Sequence, residues 1–138
     1  SRVLELEYKP SDLSRVTETV MLVGKGVTYD TGGADVKISG KMAGMSRDKS
    51  GAAAVAGFLK ACSLLKPPHL KVIGVLCLCR NSIGEDSYVS DELLISRSGK
   101  TVRVTNTDAE GRLAMADSLF KLSEIAGKEL NPHIYTVA

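Results

Sequence analysis

The segment Asn106-Thr107-Asp108-Ala109-Glu110-Gly111-Arg112-Leu113 places two carboxylates and a guanidinium at every second position, just before an apolar helical pattern begins. Alternate side chains of an extended backbone leave it on the same side. Asp108, Glu110 and Arg112 are therefore expected to point into one small volume if the chain stays extended as far as Gly111. Two acids facing the same space resist ionising together unless positive charge lies between them. A divalent cation meets that need, and an arginine within reach can hold an anion beside it. The same residues also suit an ordinary helix start, with Thr107 or Asp108 accepting from free N–H groups of the first turn.

A second stretch carries complementary chemistry. Between Gly24 and Gly51 there are seven glycines, a density that reads as a loop folded around something rather than a helix or strand. This stretch holds Lys25, Asp30 and Lys37, with Asp48 at the lip of the next helix. Functional groups in open α/β sheets lie beyond the carboxyl ends of strands, and both segments are expected there. Taken singly, each acid is an ordinary turn or cap residue and each lysine an ordinary solvated charge. Together, Asp30, Asp48, Asp108 and Glu110 carry enough negative charge to match two divalent cations, and carboxylate-rich sites suit magnesium, manganese or zinc in pairs about 3.5–4 Å apart. A lysine joins such a site only as the neutral amine, which a neighbouring dication favours. A second lysine left charged acts as an electrophile.

The elements that must position these groups follow from periodicity. Val3 to Tyr8 alternates as a half-buried strand with acids on one face, and Thr19 to Val23 reads as a more buried one. From Ser50 an apolar helix, buried on nearly all sides, runs to Pro67-Pro68. Leu70 to Cys79 has the continuous apolar character of a central strand. Glu85 to Glu92 is an exposed loop, and Leu93–Arg97 with Lys100–Val104 form a hairpin around Ser98-Gly99. A helix follows Gly111, with Leu113, Ala116, Leu119, Phe120 and Ile125 on one stripe and Gly127 at its C-terminal cap, before a last strand over His133–Ala138. Strands separated by helices in this way predict an α/β fold: a three-layer α/β/α domain with a mixed central sheet.

Composition narrows the function classes. The 138 residues make one domain's worth of chain, 43% apolar and 25% charged, which is ordinary for a globular protein. Eighteen basic against sixteen acidic residues leave a net charge of +2, which points to no nucleic-acid and no membrane partner. The apolar runs Gly51–Leu59 and Val72–Cys79 fall far short of the ~20 residues of a membrane span, and Ser1 to Pro10 has no signal-peptide character. Cys62, Cys77 and Cys79 read as buried small hydrophobes of a reducing compartment. His69 and His133 are the only histidines, so no cysteine–histidine zinc site is expected.

Taken together, Val-Gly-Lys-Gly-Val-Thr-Tyr-Asp-Thr-Gly-Gly (23–33), Lys37, Met45 to Ala54 around Asp48, and the octapeptide 106–113 resemble the leucyl (cytosol) aminopeptidase family of dinuclear metallopeptidases. The similarity runs from about Val3 to the end, and Arg47-Asp48 before the helix resembles a less typical branch of that family. The resemblance implies that residues 1–138 are the N-terminal part of the catalytic domain, with no separate N-terminal domain, acting on peptides with a free amino terminus. It implies two divalent metal ions, zinc or manganese, with magnesium and cobalt as further candidates. Lys25 and Asp48 would ligate one ion, Asp108 the other, and Asp30 and Glu110 both. By the same resemblance Lys37 would stabilise an oxyanion, Arg112 would hold a bicarbonate serving as general base, Met45 would line the pocket for the first side chain, and Asn106 would touch the substrate backbone. A cytoplasmic location and a homo-oligomer, a hexamer in the full-length form, are also implied.

The chain departs from the family pattern in two respects. Lys49-Ser50 stands where the family more often has a small or apolar residue followed by Gly, adding a cation beside Asp48. The family pattern also continues past Ala138 into a Thr-Leu-Thr-Gly segment that contacts substrate. Two other readings stand beside the peptidase. One is a phosphate-binding module on the Gly-rich stretch, although Gly24-Lys25-Gly26 lacks the Ser/Thr and the spaced upstream Gly of a P-loop. The other is a catalytically inactive truncated form that binds metal or associates with full-length subunits.

Overall fold

Apolar side chains alternating along two long neighbouring strands give the molecule its layers. The computed structural model describes residues 1–138. In chain order the elements are β1 (Arg2–Tyr8), β2 (Glu18–Asp30), α1 (Ser50–Leu65), β3 (Leu70–Asn81), β4 (Leu93–Ile95), β5 (Thr101–Arg103), α2 (Glu110–Ala126) and β6 (Pro132–Val137). Four strands form one sheet in the order β1-β3-β2-β6. β1 runs antiparallel to β3, with Tyr8 opposite Val72, while β2 lies parallel to both β3 and β6, with Thr19 beside Lys71 and Pro132. Leu22, Val72 and Leu76 turn to one face and meet Ala52, Val55, Leu59 and Cys62 of α1. Met21, Val23, Val75 and Cys77 turn to the other and meet Met115 and Leu122 of α2. Each such fully buried aliphatic side chain contributes about 1.5–3 kcal/mol. The result is a three-layer α/β/α arrangement with a mixed sheet, as the sequence pattern predicts.

Several local expectations are corrected. β2 does not stop at Val23 but continues to Asp30, so Lys25 and Asp30 stand on a strand rather than in a loop. Two of its glycines serve close approach, not turning. A Cβ on Gly24 would lie 2.7 Å from the Ala52 Cα, and one on Gly26 would lie 2.7 Å from the Cys77 carbonyl oxygen. The turn comes later, at Gly32 and Gly33, whose φ of +90° and +70° suits glycine.

The octapeptide is not extended either. Asn106 caps a 3-10 turn over Thr107–Ala109, its side-chain oxygen accepting from the Asp108 N–H at 2.7 Å, and α2 starts at Glu110 rather than after Gly111. With Glu110 turned inward, the buried stripe of α2 is Gly111, Met115, Ser118 and Leu122. Of the predicted stripe Ile125 does pack against the core, but Ala116, Leu119 and Phe120 turn from the sheet and line a groove with Val102 of the hairpin, Leu119 and Phe120 each 37% exposed.

α1 buries one face only, leaving Phe58, Leu64 and Leu65 exposed, and most of edge strand β1 is exposed as well. The hairpin is present, with Leu94 paired to Val102, but its strands are short and the connection Ser96–Lys100 replaces a tight two-residue turn. Gly127 does cap α2. Cys62, Cys77 and Cys79 are free thiols, the first two buried. No helix is long and apolar enough to cross a membrane.

Candidate metal centre

Four segments deliver charge to one place at the carboxyl ends of β2 and β3. Lys25 comes from within β2, Asp30 from its last residue, Lys37 from beyond the Gly32-Gly33 turn, Asp48 from just before α1, and Asp108 and Glu110 from the 3-10 turn that opens α2. Lys25 Nζ lies 2.7 Å from Asp48 Oδ2 and 2.9 Å from Glu110 Oε1. Lys37 Nζ lies 2.6 Å from Asp108 Oδ1 and 3.0 Å from Asp30 Oδ2. Carboxylate oxygens of Asp30, Asp108 and Glu110 converge within 4.8 Å of one another. Six of the seven charged residues singled out in the two segments are thus gathered together, although not by the alternation of an extended strand, and Arg112 is the one left outside.

The electrostatics follow from this crowding. Burial works against the Lys25 ammonium, but Asp48 and Glu110 outweigh it and raise its pKa. Burial likewise opposes the charge on Lys37, yet Asp108 and Asp30 hold its pKa well above the ordinary lysine value. Asp30 is pushed up by burial and pulled further down by the Gly32 N–H, Lys37 and the Asn81 amide, for a net lowering. For Glu110 burial prevails over Lys25, and its pKa is raised.

A clasp fixes the two segments against each other. The Thr107 hydroxyl donates to the Gly32 carbonyl at 2.6 Å and accepts from the Asp35 N–H at 2.8 Å. Asp35 Oδ2 in turn accepts from the Thr107 N–H at 2.7 Å and the Ser90 hydroxyl at 3.0 Å. The Thr107 N–H bond is the main reason that the Asp35 carboxyl is held below its ordinary pKa. Gly33 packs where a Cβ would come within 3.0 Å of Thr107 Oγ1.

The donor set fits divalent cations. Four carboxylates face only two ammonium groups, so negative charge is in excess. Asp48 Oδ2, Asp108 Oδ1 and Glu110 Oε1 are buried and meet no partner except the ammonium groups of Lys25 and Lys37, at 2.7, 2.6 and 2.9 Å. Buried carboxylate oxygens that face only positive charge are acceptors that a divalent cation also satisfies.

The remaining predicted residues stand differently. Met45 is half-buried in a 3-10 turn that leads to Asp48, and Asn106 is exposed and engaged as a cap. Arg112 is exposed on α2 and forms no ion pair. Sequence reasoning missed Asn81, Asp35 and Tyr88. Asn81 ends β3, and a polar residue at the carboxyl end of a central apolar strand is the signal that would have found it. Tyr88 lines a cavity of about 630 Å³ together with Asn81, Leu113 and Glu110. Its hydroxyl is buried without a partner, and burial together with nearby acids pushes its pKa up to about 12.

Comparison with known proteins places the chain by its sequence and its fold. Residues 1–137 match the cytosol aminopeptidase family, catalytic domain. A putative aminopeptidase of Caenorhabditis elegans is 50% identical over 138 residues, which is all of this chain and 26% of that protein. A probable cytosol aminopeptidase of Metamycoplasma salivarium is 46% identical over 119 residues, 86% of this chain and 22% of that protein. Among solved structures, a bottromycin maturation enzyme, BotP, in complex with Mn superposes with a TM-score of 0.85 at 37% identity, covering 97% of this chain and 28% of that one. The apo leucyl aminopeptidase of Trypanosoma cruzi superposes with a TM-score of 0.81 at 47% identity, covering 89% and 24%. The chain therefore spans about a quarter of the length of these relatives. With a family match along nearly its whole length and the same fold at such identities, the chain belongs to the cytosol aminopeptidase family, as a segment of its catalytic domain.

Proposed function

We propose that this chain carries the cation centre of an aminopeptidase that hydrolyses the first peptide bond of peptides with a free amino terminus, leucine-like first residues included. The observation that supports this most is the convergence of Asp30, Asp108 and Glu110 beside two lysines, with buried acceptor oxygens on Asp108 and Glu110 that meet only ammonium groups. Lys25 and Asp48 would hold one divalent ion, Asp108 a second, and Asp30 and Glu110 both. Zinc or manganese fits this oxygen-rich set with one amine, and the manganese in the complex of the structural relative supports the same choice. When bound, two such ions make a water acidic near neutral pH and draw electron density from the scissile carbonyl.

The chain's own residues supply the rest of the proposed chemistry. Lys37, kept charged by Asp108 and Asp30, presents a fixed positive group to the oxygen that gains charge as the carbonyl is attacked. Arg112, exposed and free of ion pairs, is the proposed holder of bicarbonate, whose oxygen accepts the proton of the attacking water. Met45 lines the pocket for the first side chain. Asn106 spends its side-chain oxygen on the Asp108 N–H, which leaves its NH₂ to donate to the substrate backbone. A cytoplasmic location is proposed from the names of the relatives, and a homo-oligomer, hexameric in longer forms, from the family resemblance.

A second reading, metal binding without turnover or association with longer subunits of the family, stands beside the first because these residues cover about a quarter of the relatives' length. Isothermal titration with Mn²⁺ and Zn²⁺, followed by hydrolysis of leucine amide on the same sample, separates the readings. Two equivalents bound with turnover support the peptidase. Two bound without turnover favour the second reading, and no binding removes the peptidase and the metal-binding form, leaving association alone.

A further inference from the structure

The Asn81 side chain is buried, 7% exposed, and its amide nitrogen faces three acceptors at once. Asn81 Nδ2 lies 2.8 Å from Asp30 Oδ1, 3.0 Å from the Thr107 carbonyl and 3.2 Å from Glu110 Oε2. All three are oxygens that can only accept, so the amide orientation is set by its surroundings. Two hydrogens serve three acceptors, which draws Asp30, Thr107 and Glu110 toward one point. Asp30 Oδ1 also accepts from the Gly32 N–H at 2.9 Å, so that oxygen is fully used. What remains is Asp30 Oδ2, facing Lys37, and Glu110 Oε1, facing Lys25 alone.

We propose that Asn81 is a positioning residue of the cation centre: by occupying one oxygen each of Asp30 and Glu110, it fixes which oxygens of these two acids are presented to the metals. The same amide lies between two carboxylates that would otherwise repel each other and rotate apart. Its backbone is tied down as well, because the Asn81 carbonyl accepts from the Thr31 N–H at 2.9 Å and the Thr31 hydroxyl at 3.0 Å. This inference rests on the cation-centre reading above.

The test compares Mn²⁺ binding to the wild-type chain and to Asn81→Leu, which keeps the branched shape in a larger side chain and removes the donor, with free Mn²⁺ read by electron paramagnetic resonance at 25 °C. A loss of affinity of about 10–100-fold is expected, the usual effect of removing a group that orients metal ligands. Circular dichroism must show the variant folded at that temperature, which a purely structural role would make sufficient for normal binding. Should Asn81→Leu fail to fold, the wild type itself carries the test by NMR with Zn²⁺. Both Asn81 side-chain amide protons should exchange slowly and shift on saturation. Unchanged affinity in the folded variant, or side-chain amide signals that Zn²⁺ does not move, overturns the role of Asn81. Absence of binding to the wild type overturns the cation centre, and this inference with it.

Discussion

Lys25 owes its place to a missing methyl group. A Cβ on Gly111 would fall 2.6 Å from Lys25 Cε and 3.0 Å from its Nζ, so the first turn of α2 is shaped around this amine. Gly111→Ala displaces the far end of a flexible side chain rather than backbone, and alanine gains up to about 1 kcal/mol of helix propensity. The variant is therefore expected to melt no lower than wild type while binding Mn²⁺ about tenfold more weakly, a pairing that calorimetric melting and titration on the same sample will show. Asp108→Asn tests the other side of the centre. It keeps the shape and removes one charge, and should lower the stoichiometry in isothermal titration from two equivalents to one. At this scale the charged residues were legible because acids and lysines gathered in two irregular segments are costly without a partner, and the resemblance added Met45, Asn106 and the division of roles. The geometry was not legible: Asp108 and Glu110 meet through a 3-10 turn into a helix, which the Asn106 cap selects over the extended form. Asn81 and Asp35 were passed over since a lone amide or acid beside a glycine-rich stretch looks like any turn residue.

Elements were legible where one physical signal dominated. β3 is apolar almost throughout and could only be an inner strand, and α1 ends where Lys66 takes up a left-handed cap before Pro67. β2 was cut short because glycine in a strand has two meanings, turn or close contact, and only the packed neighbour distinguishes them. The phase of α2 was misread for a related reason. A buried Glu110 at its start outranks the aliphatic count, and no hydrophobicity pattern records that. The closest of these contacts gives a prediction. A Cβ on Gly51 would sit 2.0 Å from the Val137 carbonyl oxygen and 3.0 Å from the Lys25 N, so backbone of α1, β2 and β6 meets there with no flexible atom to yield. Gly51→Ala should cost about 1–3 kcal/mol in urea unfolding, the usual penalty of overpacking.

Across the whole molecule, charge is arranged at both ends of the sheet. Opposite the cation centre, Lys71 Nζ lies 2.6 Å from Glu129 Oε1 and 3.4 Å from Glu7 Oε1, joining β1, β3 and the connection into β6. Burial opposes the Lys71 charge, but Glu129 and Glu7 outweigh it, so the folded pKa is raised. A raised pKa means that the contribution is fully present below the unfolded lysine value of about 10.4 and lost as pH climbs through the folded one. Lys71→Met should thus lose about 1 kcal/mol at pH 7, with no change between pH 6 and 9, and the gap to wild type should close above pH 11 in urea titrations. The layered architecture was legible as a whole because strands and helices alternate, whereas the strand order depended on pairings between distant segments. That order has a consequence for how the chain comes together. β2 finds both its neighbours late, one after α1 and the other only at Pro132–Val137. A nascent chain therefore carries β2 with an open edge until Pro132–Val137 emerges, and contacts so far apart in sequence close slowly. The acids at the end of β2 and the start of α2 are also far apart in sequence, so the ability to capture a cation is expected to arise with the assembly of β2 against β3 and α2 rather than with any local element.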